Sequence, residues 1–438
     1  IKKLLPQGKT TVFKAQLRIL PSVAFISAFL NNTPVVVIFA PIIKHWAKSV
    51  NLPATKFLIP LSYVTILGGI CTLIGTSTNL VVHGMILEAG FEGFSMFELG
   101  KVGIFIAIAG IIYIFLFSKR LLPDARPDTA VPDEEVEEGE KLHRVEAVLG
   151  ARFPGINKKL KDFNFQRHYG AEVKEIKTRN GQRFVSNLEE VVLHEGDTLV
   201  VMADDTFIPT WGESSVFVLL TNGNEPDTTG KKKRWFALLL LVLMIVGATV
   251  GELPITKEMF PDIKLDMFFF VSITTIIMAW TNLFPARKYT KYISWDILIT
   301  IACAFAISKA MVNSGVADSV AKFIIGLSDD YGPHVLLAMV FIITNLFTEL
   351  ITNNAAAALA FPLALSISAQ LGVSPTPFFV VICMAASASF STPIGYQTNL
   401  IVQGIGNYKF TDFVRIGLPL NIITFLISII LIPLIWNF

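Results

Sequence analysis

The sequence is poor in charged residues. Only 16% of its 438 residues are Asp, Glu, Lys or Arg, whereas ordinary soluble domains carry about a quarter. The formal net charge is only +2, so the overall charge indicates neither an acidic nor a basic partner. These numbers argue against an ordinary soluble protein, and we expect no nucleic-acid partner.

Cysteine is also scarce, and the usual catalytic patterns are missing from the sequence. Cys71, Cys303 and Cys383 are far apart in apolar runs, so we expect buried small hydrophobic residues without a disulfide or a metal. The six histidines form no metal-ligand cluster. No Ser-His-Asp arrangement, P-loop or GxGxxG motif is present. We therefore expect neither an enzyme nor an organic cofactor.

Long apolar runs dominate what is present. The chain is 53% hydrophobic, and residues 235–250, WFALLLLVLMIVGATV, contain no charge. Similar runs cover residues 265–281, 292–308 and 416–437. About 20 apolar residues suffice for a helix to cross a bilayer. The sequence therefore predicts an all-α polytopic membrane protein.

Residues 119–234 differ in character from the apolar runs on either side. An acidic linker (119–141) leads into a segment (142–224) with strand patterns at AEVKEIKT, RFVSNLEEVVL and TLVVMA, and SVFVLLTNG offers a further strand. The turn signals RNGQ and HEGD separate these strands, which predicts a small β-rich or α+β soluble domain. A basic linker (225–234) follows. Because basic clusters flank the insert on both sides, we expect residues 119–234 on the cytoplasmic side.

Two polar motifs occur twice in the same order. Ser27-x3-Asn31-Asn32-Thr33 corresponds to Thr348-x3-Thr352-Asn353-Asn354, and LIGTSTNLVVHG (73–84) corresponds to PIGYQTNLIVQG (393–404). The two offsets are 321 and 320 residues. The membrane part is therefore predicted to be two homologous, inverted repeats, 1–118 and 235–438, separated by the soluble domain.

Paired polar interruptions of this kind point to a transporter binding site. Runs 17–30 and 35–47 are each too short to cross alone, so we expect a re-entrant hairpin with Asn31–Thr33 at its tip. Residues 334–351 and 355–370 would form the second hairpin, and the two Gly-containing loops would break the following helices. Helix N-termini at the tips would attract an anion. Taken singly, NNT also fits a helix N-cap or an interhelical hydrogen bond, and GTSTN fits a simple loop.

These motifs resemble the divalent anion:sodium symporter (DASS) family of sodium/dicarboxylate and sodium/sulfate cotransporters. That family carries Ser-Asn-Thr at each of two hairpin tips and a Gly-Thr-Pro-Pro-Asn-like loop after each. Here the central Asn is kept at both tips, as Asn32 and Asn353. The resemblance covers residues 17–118 and 235–438. It implies an elevator-type symporter in the bilayer, in a homodimer, with sodium as the coupling ion.

The same resemblance implies particular site residues. It places one sodium ion at Ser27, Asn31, Asn32 and Gly75, and a second at Thr348, the Ile351 carbonyl, Asn353 and Gly395. It places the anion against Asn32, Thr33, Asn353, Asn354, Tyr396 and Gln397. Further candidates are Thr78, Asn79, Thr398 and Asn399 in the loops, and Glu349, an intramembrane acid that could attract a cation, bind a proton or lock the hairpin.

Departures from the family pattern bear on the substrate. The loops GTSTN and GYQTN replace the double-proline loops, as in the sulfate-carrier subgroup that also carries an inserted TrkA-C (RCK-C) domain. Residues 142–205 resemble that domain at the landmarks Tyr169-Gly170 and Gly196-Asp197, which suggests a small-molecule regulator. We therefore expect sulfate as substrate. A succinate-like dicarboxylate carrier and a non-transporting sulfur-status sensor are the alternatives.

Two other classes lack their defining residues in this sequence. A potassium channel needs a TVGYG-like filter, and PIGYQTN does not supply it. An intramembrane hydrolase needs a nucleophile and a base, and no such pair is visible.

The repeat also predicts that this chain is a fragment. The chain has no initiator Met and no signal peptide. Three apolar spans precede the second hairpin signature, whereas almost none precede the first. By this comparison about 87 residues, or three spans, are expected to be missing, and such a fragment would not transport.

Overall fold

The computed structural model describes residues 5–6, 10–124, 142–150, 152–178, 182–204, 207–211, 216–221, 231–251, 253–259, 265–283, 295–326 and 332–438. Most of the acidic linker and residues 179–181 of the RNGQ turn signal lie outside these ranges. The described residues form two helical parts with a small sheet between them in the chain.

The first helical part contains one hairpin, one broken helix and one long helix. Thr11 caps the first helix by accepting a hydrogen bond from the Lys14 backbone N–H at 3.4 Å, and Gly68-Gly69 end the third. The helices are α1 (Val12–Ser27), α2 (Asn32–Ser49), α3 (Leu58–Gly69), α4 (Ser77–Glu88) and α5 (Gly100–Leu121), with a 3-10 turn at Ala54–Lys56.

The insert folds around an antiparallel five-stranded sheet in the order β3-β2-β4-β1-β5. In its register Val145 opposes Val201, and Ile176 opposes Leu199, so alternate residues of these strands share one apolar cluster. The elements are β1 (His143–Leu149), α6 (Phe165–Tyr169), β2 (Glu172–Lys177), β3 (Arg183–Phe184), β4 (Thr198–Ala203), α7 (Phe207–Trp211) and β5 (Phe217–Thr221).

Two details of the predicted sheet were wrong. The segment RFVSNLEEVVL is a strand only at Arg183–Phe184, because Asn187 adopts a left-handed backbone (φ 54°) and a 3-10 turn follows at Leu188–Glu190. Strand β1 was not predicted, although it pairs with both β4 and β5 in the middle of the sheet. Its sequence HRVEAVL carries an apolar alternation at Val145, Ala147 and Leu149, and all three residues are buried, so the signal for this strand was present in the sequence.

The second helical part begins with longer spans and then repeats the hairpin and the broken helix. The basic cluster predicted as part of a linker forms the first turn of its first helix. The helices are α8 (Lys231–Gly251), α9 (Pro254–Met259), α10 (Met267–Trp280), α11 (Trp295–Asn313), α12 (Val316–Gly326), α13 (Gly332–Leu350), α14 (Asn353–Leu371), α15 (Thr376–Ser387), α16 (Gln397–Gly406) and α17 (Phe410–Ile435).

The helices confirm an integral membrane protein. Five described helices are long and apolar enough to cross a bilayer: Gly100–Leu121, Lys232–Gly251, Gly332–Leu350, Asn353–Leu371 and Phe410–Ile435. Helices α11 and α12 together make a sixth candidate span, bent by 71° at the break. Of the three cysteines that were expected to be buried, Cys383 is buried and Cys71 is partly buried. The expectation was wrong for Cys303, which is exposed on α11.

The predicted breaks fall at matching places in the two helical parts. Helices α1 and α2 join within four residues, and α13 and α14 within two, at the two Asn motifs. Helix α3 stops at Gly69 before α4 starts at Ser77, and α15 stops at Ser387 before α16 starts at Gln397. Each Gly-containing loop therefore ends at the start of a short helix.

The soluble domain packs directly against the membrane part. Glu146 of β1 forms an ion pair with Lys44 of α2 at 3.1 Å. A methyl group added to Gly404 of α16 would lie 2.5 Å from the Thr198 hydroxyl, and Val148 belongs to the membrane core cluster. The sheet therefore lies against two helices that begin at the Asn and Tyr motifs.

Candidate functional site

Four helix N-termini meet in the centre of the membrane part. Helices α2, α4, α14 and α16 begin at Asn32, Ser77, Asn353 and Gln397. Helix α2 contacts α16 and helix α14 contacts α4, and the hydroxyls of Thr76 and Tyr396, the residues just before α4 and α16, lie 3.1 Å apart. Helix N-termini present free backbone N–H groups and a partial positive charge, so their convergence favours an anion.

The two signature asparagines each lie beside a hydroxyl of their own hairpin. The Ser27 hydroxyl donates to Asn32 Oδ1 at 2.7 Å, and the Thr348 hydroxyl lies 2.7 Å from Asn353 Oδ1. The Thr348 hydroxyl also lies 2.6 Å from the Ala386 carbonyl oxygen, so two acceptors share its one proton. The Asn32 oxygen is engaged by Ser27 alone among the described residues, and its NH₂ group points away from its own hairpin turn. Ser27, Asn32 and Thr348 are fully buried, and Asn353 nearly so.

Tyr396 joins the two asparagines. Its hydroxyl accepts a hydrogen bond from Asn32 Nδ2 at 2.6 Å and also bonds to the Asn353 side chain. Residues 32 and 396 are 364 positions apart in the chain. The phenol oxygen therefore lies between the two side-chain amides.

The rim of this cluster pairs the hairpins with the opposite loops. Thr33 Oγ1 lies 3.4 Å from Gln397 Oε1, and Asn354 Oδ1 accepts from the Ser77 and Thr78 hydroxyls, both at 3.3 Å. Gln397 is exposed, whereas the asparagines of the centre are buried. The cluster is therefore open on the side of this rim.

The loop residues repeat one hydrogen-bond pattern. Asn79 Nδ2 donates to the Thr72 carbonyl at 2.9 Å, and Asn399 Nδ2 donates to the Thr392 carbonyl at 3.1 Å. The Gly75 and Gly395 N–H groups donate to the hydroxyls of the same two threonines, at 3.1 and 3.2 Å. These bonds hold the loops in shape, so we assign Asn79 and Asn399 to positioning.

Ser62 of α3 ties the second loop to the first broken helix. Its hydroxyl lies 2.8 Å from Thr398 Oγ1 and 2.7 Å from Asn399 Oδ1. Thr398 and Asn399 are both fully buried. The structure thus brings Thr398 against α3. The corresponding residue of the first loop, Thr78, instead contacts Asn354 at the rim.

Oxygen atoms surround both loop glycines. A methyl group on Gly75 would meet the carbonyl oxygens of Gly69 and Ala28, and one on Gly69 would lie 2.6 Å from Asn32 Oδ1. At Gly395 a methyl group would meet the Ser389 hydroxyl and lie 2.5 Å from the Thr348 carbonyl oxygen. Hard cations prefer such oxygen ligands, so the residues present fit a sodium ion at each place.

Glu349 ties the second hairpin to its surroundings. Its Oε1 accepts from the Ser391 backbone N–H at 2.8 Å and from Asn421 Nδ2 of α17 at 2.7 Å. Its backbone carbonyl accepts from the Thr392 hydroxyl at 3.0 Å. Its Oε2 is buried without a hydrogen-bond partner among the described residues. Of the three expected roles, these contacts favour the hairpin lock.

Two predicted ligands, Asn31 and the Ile351 carbonyl, lie in the hairpin turns themselves. Asn31 precedes α2 without a side-chain cap bond to it, and the Ile351 side chain is exposed at the turn between α13 and α14. Conversely, sequence reasoning missed Thr72, Thr76 and Thr392. The offset of 320 residues that pairs the two loops also pairs Thr72 with Thr392, so extending the alignment by a few residues would have found this pair.

Comparison with known families agrees with this arrangement. The family model described as citrate transporter (CitMHS) matches residues 1–371 and 263–438, which together cover the whole chain.

Three individual relatives come from Synechocystis and Chlamydomonas reinhardtii. An uncharacterized transporter of Synechocystis, sll0640, is 30% identical over 94% of this chain and 81% of its own length. A protein of Chlamydomonas reinhardtii described as a sulfur deprivation response regulator is 28% identical over 94% of this chain and 85% of its own. Sodium/sulfate cotransporter 2 of the same alga is 31% identical over 64% of this chain and 31% of its own length.

Proposed function

Since the chain belongs to the citrate transporter family, we propose that it is a sodium-coupled symporter of a small divalent oxyanion, with sulfate as the favoured substrate. The observation that carries this proposal is the convergence of four helix N-termini on two buried, oriented asparagines. The site offers neutral donors and helix dipoles to an anion, without Lys or Arg among the residues that form it.

The anion would contact residues of both repeats. Asn32, Asn353 and Tyr396 would contact it from the buried side, and Thr33, Asn354 and Gln397 would complete the contacts toward the rim. Each donor is neutral, so the dianion is stabilised by partial charges that are fixed before it arrives, in a place where water is scarce.

Sodium would bind beside each hairpin tip, as cargo that is transported with the anion. The first site would use Ser27, Asn31, Asn32 and Gly75, and the second would use Thr348, the Ile351 carbonyl, Asn353 and Gly395. The Asn side chains belong to both the cation and the anion sites. A bound cation would therefore fix the amides that hold the anion, which gives a physical reason for coupled transport.

We further propose an elevator-type mechanism in a homodimer. In this mechanism the two hairpins are re-entrant, the repeats have inverted orientation, and the hairpins with the broken helices move as one body. The hydrogen bonds that join Asn32 to Tyr396 and Asn354 to Ser77 tie these pieces together across the two repeats. Concerted movement is therefore easier than movement of one hairpin alone.

The proposal is tested with the full-length protein in liposomes. We expect uptake of labelled sulfate that depends on an inward sodium gradient, and we expect succinate in excess to leave it unchanged. Asn32→Ala and Asn353→Ala should each reduce uptake at least tenfold. Asn313→Ala, on the exposed end of α11, is the matched control and should behave like the wild type. Uptake blocked by succinate would instead identify a dicarboxylate carrier.

A second candidate function is favoured by one relative. The Chlamydomonas protein described as a sulfur deprivation response regulator matches nearly the whole chain, which supports a membrane sensor of sulfur status. Sulfate binding that is lost in Asn32→Ala, together with absence of sulfate flux in the wild type, would establish this reading over the symporter.

The insert is proposed to be a TrkA-C-like regulatory domain on the cytoplasmic side. Its two sequence landmarks occupy turns, with Gly170 and Gly196 at positive φ. An open cavity of about 620 Å³ in this domain is lined by residues that include Thr178, Phe184, Glu190 and His194. A small-molecule regulator bound there would act through the sheet that lies against α2 and α16.

A further inference from the structure

The Tyr396 side chain lies at the centre of the candidate anion site rather than at its edge. Its hydroxyl receives the Asn32 amide at 2.6 Å and lies 3.1 Å from the Thr76 hydroxyl. It also bonds to Asn353. Only 8% of the residue is exposed. The ring therefore fills space between the two repeats, and the phenol oxygen takes the hydrogen bonds that an anion oxygen would take.

The orientation of the asparagines makes this placement specific. Asn32 Oδ1 accepts from the Ser27 hydroxyl, so its amide presents N–H groups toward the phenol. Asn353 Oδ1 lies 2.7 Å from the Thr348 hydroxyl, which it shares with the Ala386 carbonyl, and the Asn353 side chain also bonds the phenol. An oxygen that lies between two such amides matches the requirements of a sulfate oxygen. The phenol also occupies volume beside the two amides, which restricts the length of an anion that binds to them.

We infer that Tyr396 sets the upper size limit of the substrate, so that a compact tetrahedral oxyanion is admitted and a dicarboxylate with a carbon chain is excluded. This inference rests on the proposed transport function and deepens it. The physical reason is volume. A four-carbon dicarboxylate needs a second carboxylate position several ångströms beyond the first, and the phenol ring occupies space next to the two amides.

The chain position of Tyr396 supports a fixed ring. It is the residue just before α16, and the α16 backbone is tied to it by the Asn399 N–H, which donates to the Tyr396 carbonyl at 2.9 Å. The next residue, Gln397, lies at the rim. Tyr396 is therefore held at its backbone carbonyl and at its hydroxyl, with the ring between them. A residue fixed at both ends can discriminate between substrates by size.

The test compares the substrate selectivity of the full-length protein and its Tyr396 variants in liposome uptake assays with an inward sodium gradient. The quantity is the ratio of kcat/KM for labelled sulfate to that for labelled succinate. We expect Tyr396→Ala to lower this ratio at least tenfold, mainly by gain of succinate uptake. Tyr396→Phe keeps the ring and should retain most of the discrimination. Tyr113→Phe, which removes a buried hydroxyl bonded to the Ile416 carbonyl, is the matched control.

The outcomes separate this inference from the transport proposal. If the wild type transports sulfate and Tyr396→Ala keeps the wild-type ratio, the role of Tyr396 in size selection is wrong and the transport proposal stands. Wild-type uptake of succinate as fast as sulfate would also overturn it. If the wild type transports no divalent anion, the proposed function itself fails. When Tyr396→Ala does not fold, Tyr396→Val and Tyr396→Leu provide the same test with partial side-chain volume.

Discussion

At the residue scale, the site depends on hydroxyls that orient amides. Ser27 and Asn32 are five positions apart across the first hairpin turn, as are Thr348 and Asn353 across the second. Without these hydroxyls, each buried amide could turn its oxygen toward the anion, and an unsatisfied buried polar group would remain. In the proposed symporter, the hydroxyls would therefore contribute to anion affinity without touching the anion.

Ser27→Ala tests this orienting role. Loss of one buried hydrogen bond costs about 1–1.5 kcal/mol, which corresponds to roughly a tenfold weaker apparent affinity for sulfate. The measurement is the concentration dependence of sodium-dependent sulfate uptake. Ser22→Ala on the same helix, where the hydroxyl bonds the Arg18 carbonyl at 3.1 Å, should leave the affinity unchanged. Equal affinities of both variants would contradict the role.

Gly395→Ala tests the close packing of the second loop. A methyl group there would lie 2.5 Å from the Thr348 carbonyl oxygen and would also meet the Ser389 hydroxyl. Overpacking of this kind costs about 1–3 kcal/mol, so we expect a lower unfolding temperature and severe loss of uptake.

Gly326→Ala is the control for this substitution, because a methyl group at Gly326 meets open space at the end of α12. It should leave both the unfolding temperature and the uptake at wild-type values. Wild-type uptake by Gly395→Ala would show that the loop can relax and that its oxygens are not a rigid cation site.

At the element scale, two helices connect the polar centre to the soluble domain. Helix α2 starts at Asn32 and carries Lys44 near its other end, and α16 starts beside Tyr396 and carries Gly404 near its other end. The ten residues of α16 span about 15 Å. Any displacement of the sheet against these helices would therefore be transmitted to the site as movement of rigid elements.

Glu146→Gln tests the attachment of the domain. Burial alone would raise the pKa of Glu146, but the ammonium groups of Lys44 and Lys177 lower this pKa to about 2. A carboxyl group with a lowered pKa stabilises the folded state above its unfolded pKa near 4.5 and loses this effect as pH falls toward 2. We expect Glu146→Gln to lower the free energy of unfolding by about 1–2 kcal/mol at pH 7.

The pH dependence supplies the control for this attachment. The free energy of unfolding of the wild type should be constant between pH 8 and 6 and should fall below pH 4.5. The Glu146→Gln variant should lack the part of this fall that Glu146 causes. Glu190 also has a pKa lowered to about 2, through hydrogen bonds from Lys159 and Lys161, but it is exposed and far from α2. Glu190→Gln should therefore leave the attachment intact. Identical pH profiles for wild type and Glu146→Gln would contradict the ion pair.

At the scale of the whole molecule, α5 fixes the expected sidedness. It is long enough to cross the bilayer, and it ends at Lys119 and Arg120, which favours the cytoplasm for this end and for the sheet that follows. The connection before α5, which contains Glu92, would then face the opposite side.

Cysteine labelling tests this orientation in a variant without the three native cysteines. Lys174→Cys in the sheet should react with a membrane-impermeant maleimide only after cells are permeabilised. Glu92→Cys should react in intact cells. Labelling of Lys174→Cys in intact cells would place the domain outside and would remove the basis for cytoplasmic regulation.

The sequence was sufficient for local features. The apolar runs 235–250 and 416–437 predicted two of the candidate spans, and the paired motifs predicted the helix breaks at the two Asn motifs and at both Gly-containing loops, since these follow from hydropathy and from glycine and asparagine positions. Strand β1 was missed although Val145, Ala147 and Leu149 alternate with other residues along it, which is the pattern of a half-buried strand. The role of Glu349 stayed open because its partners, Ser391 and Asn421, come from other elements.

The sequence by itself determined the class of this protein: an apolar helical chain with a doubled polar motif and an inserted small domain. These properties depend on residues close together in the chain, where hydropathy and backbone preference act. Only the tertiary structure decided that Tyr396 bridges Asn32 and Asn353, and that the sheet lies on α2 and α16. Such contacts join residues up to 364 positions apart. They follow from how whole helices pack, which no local pattern specifies.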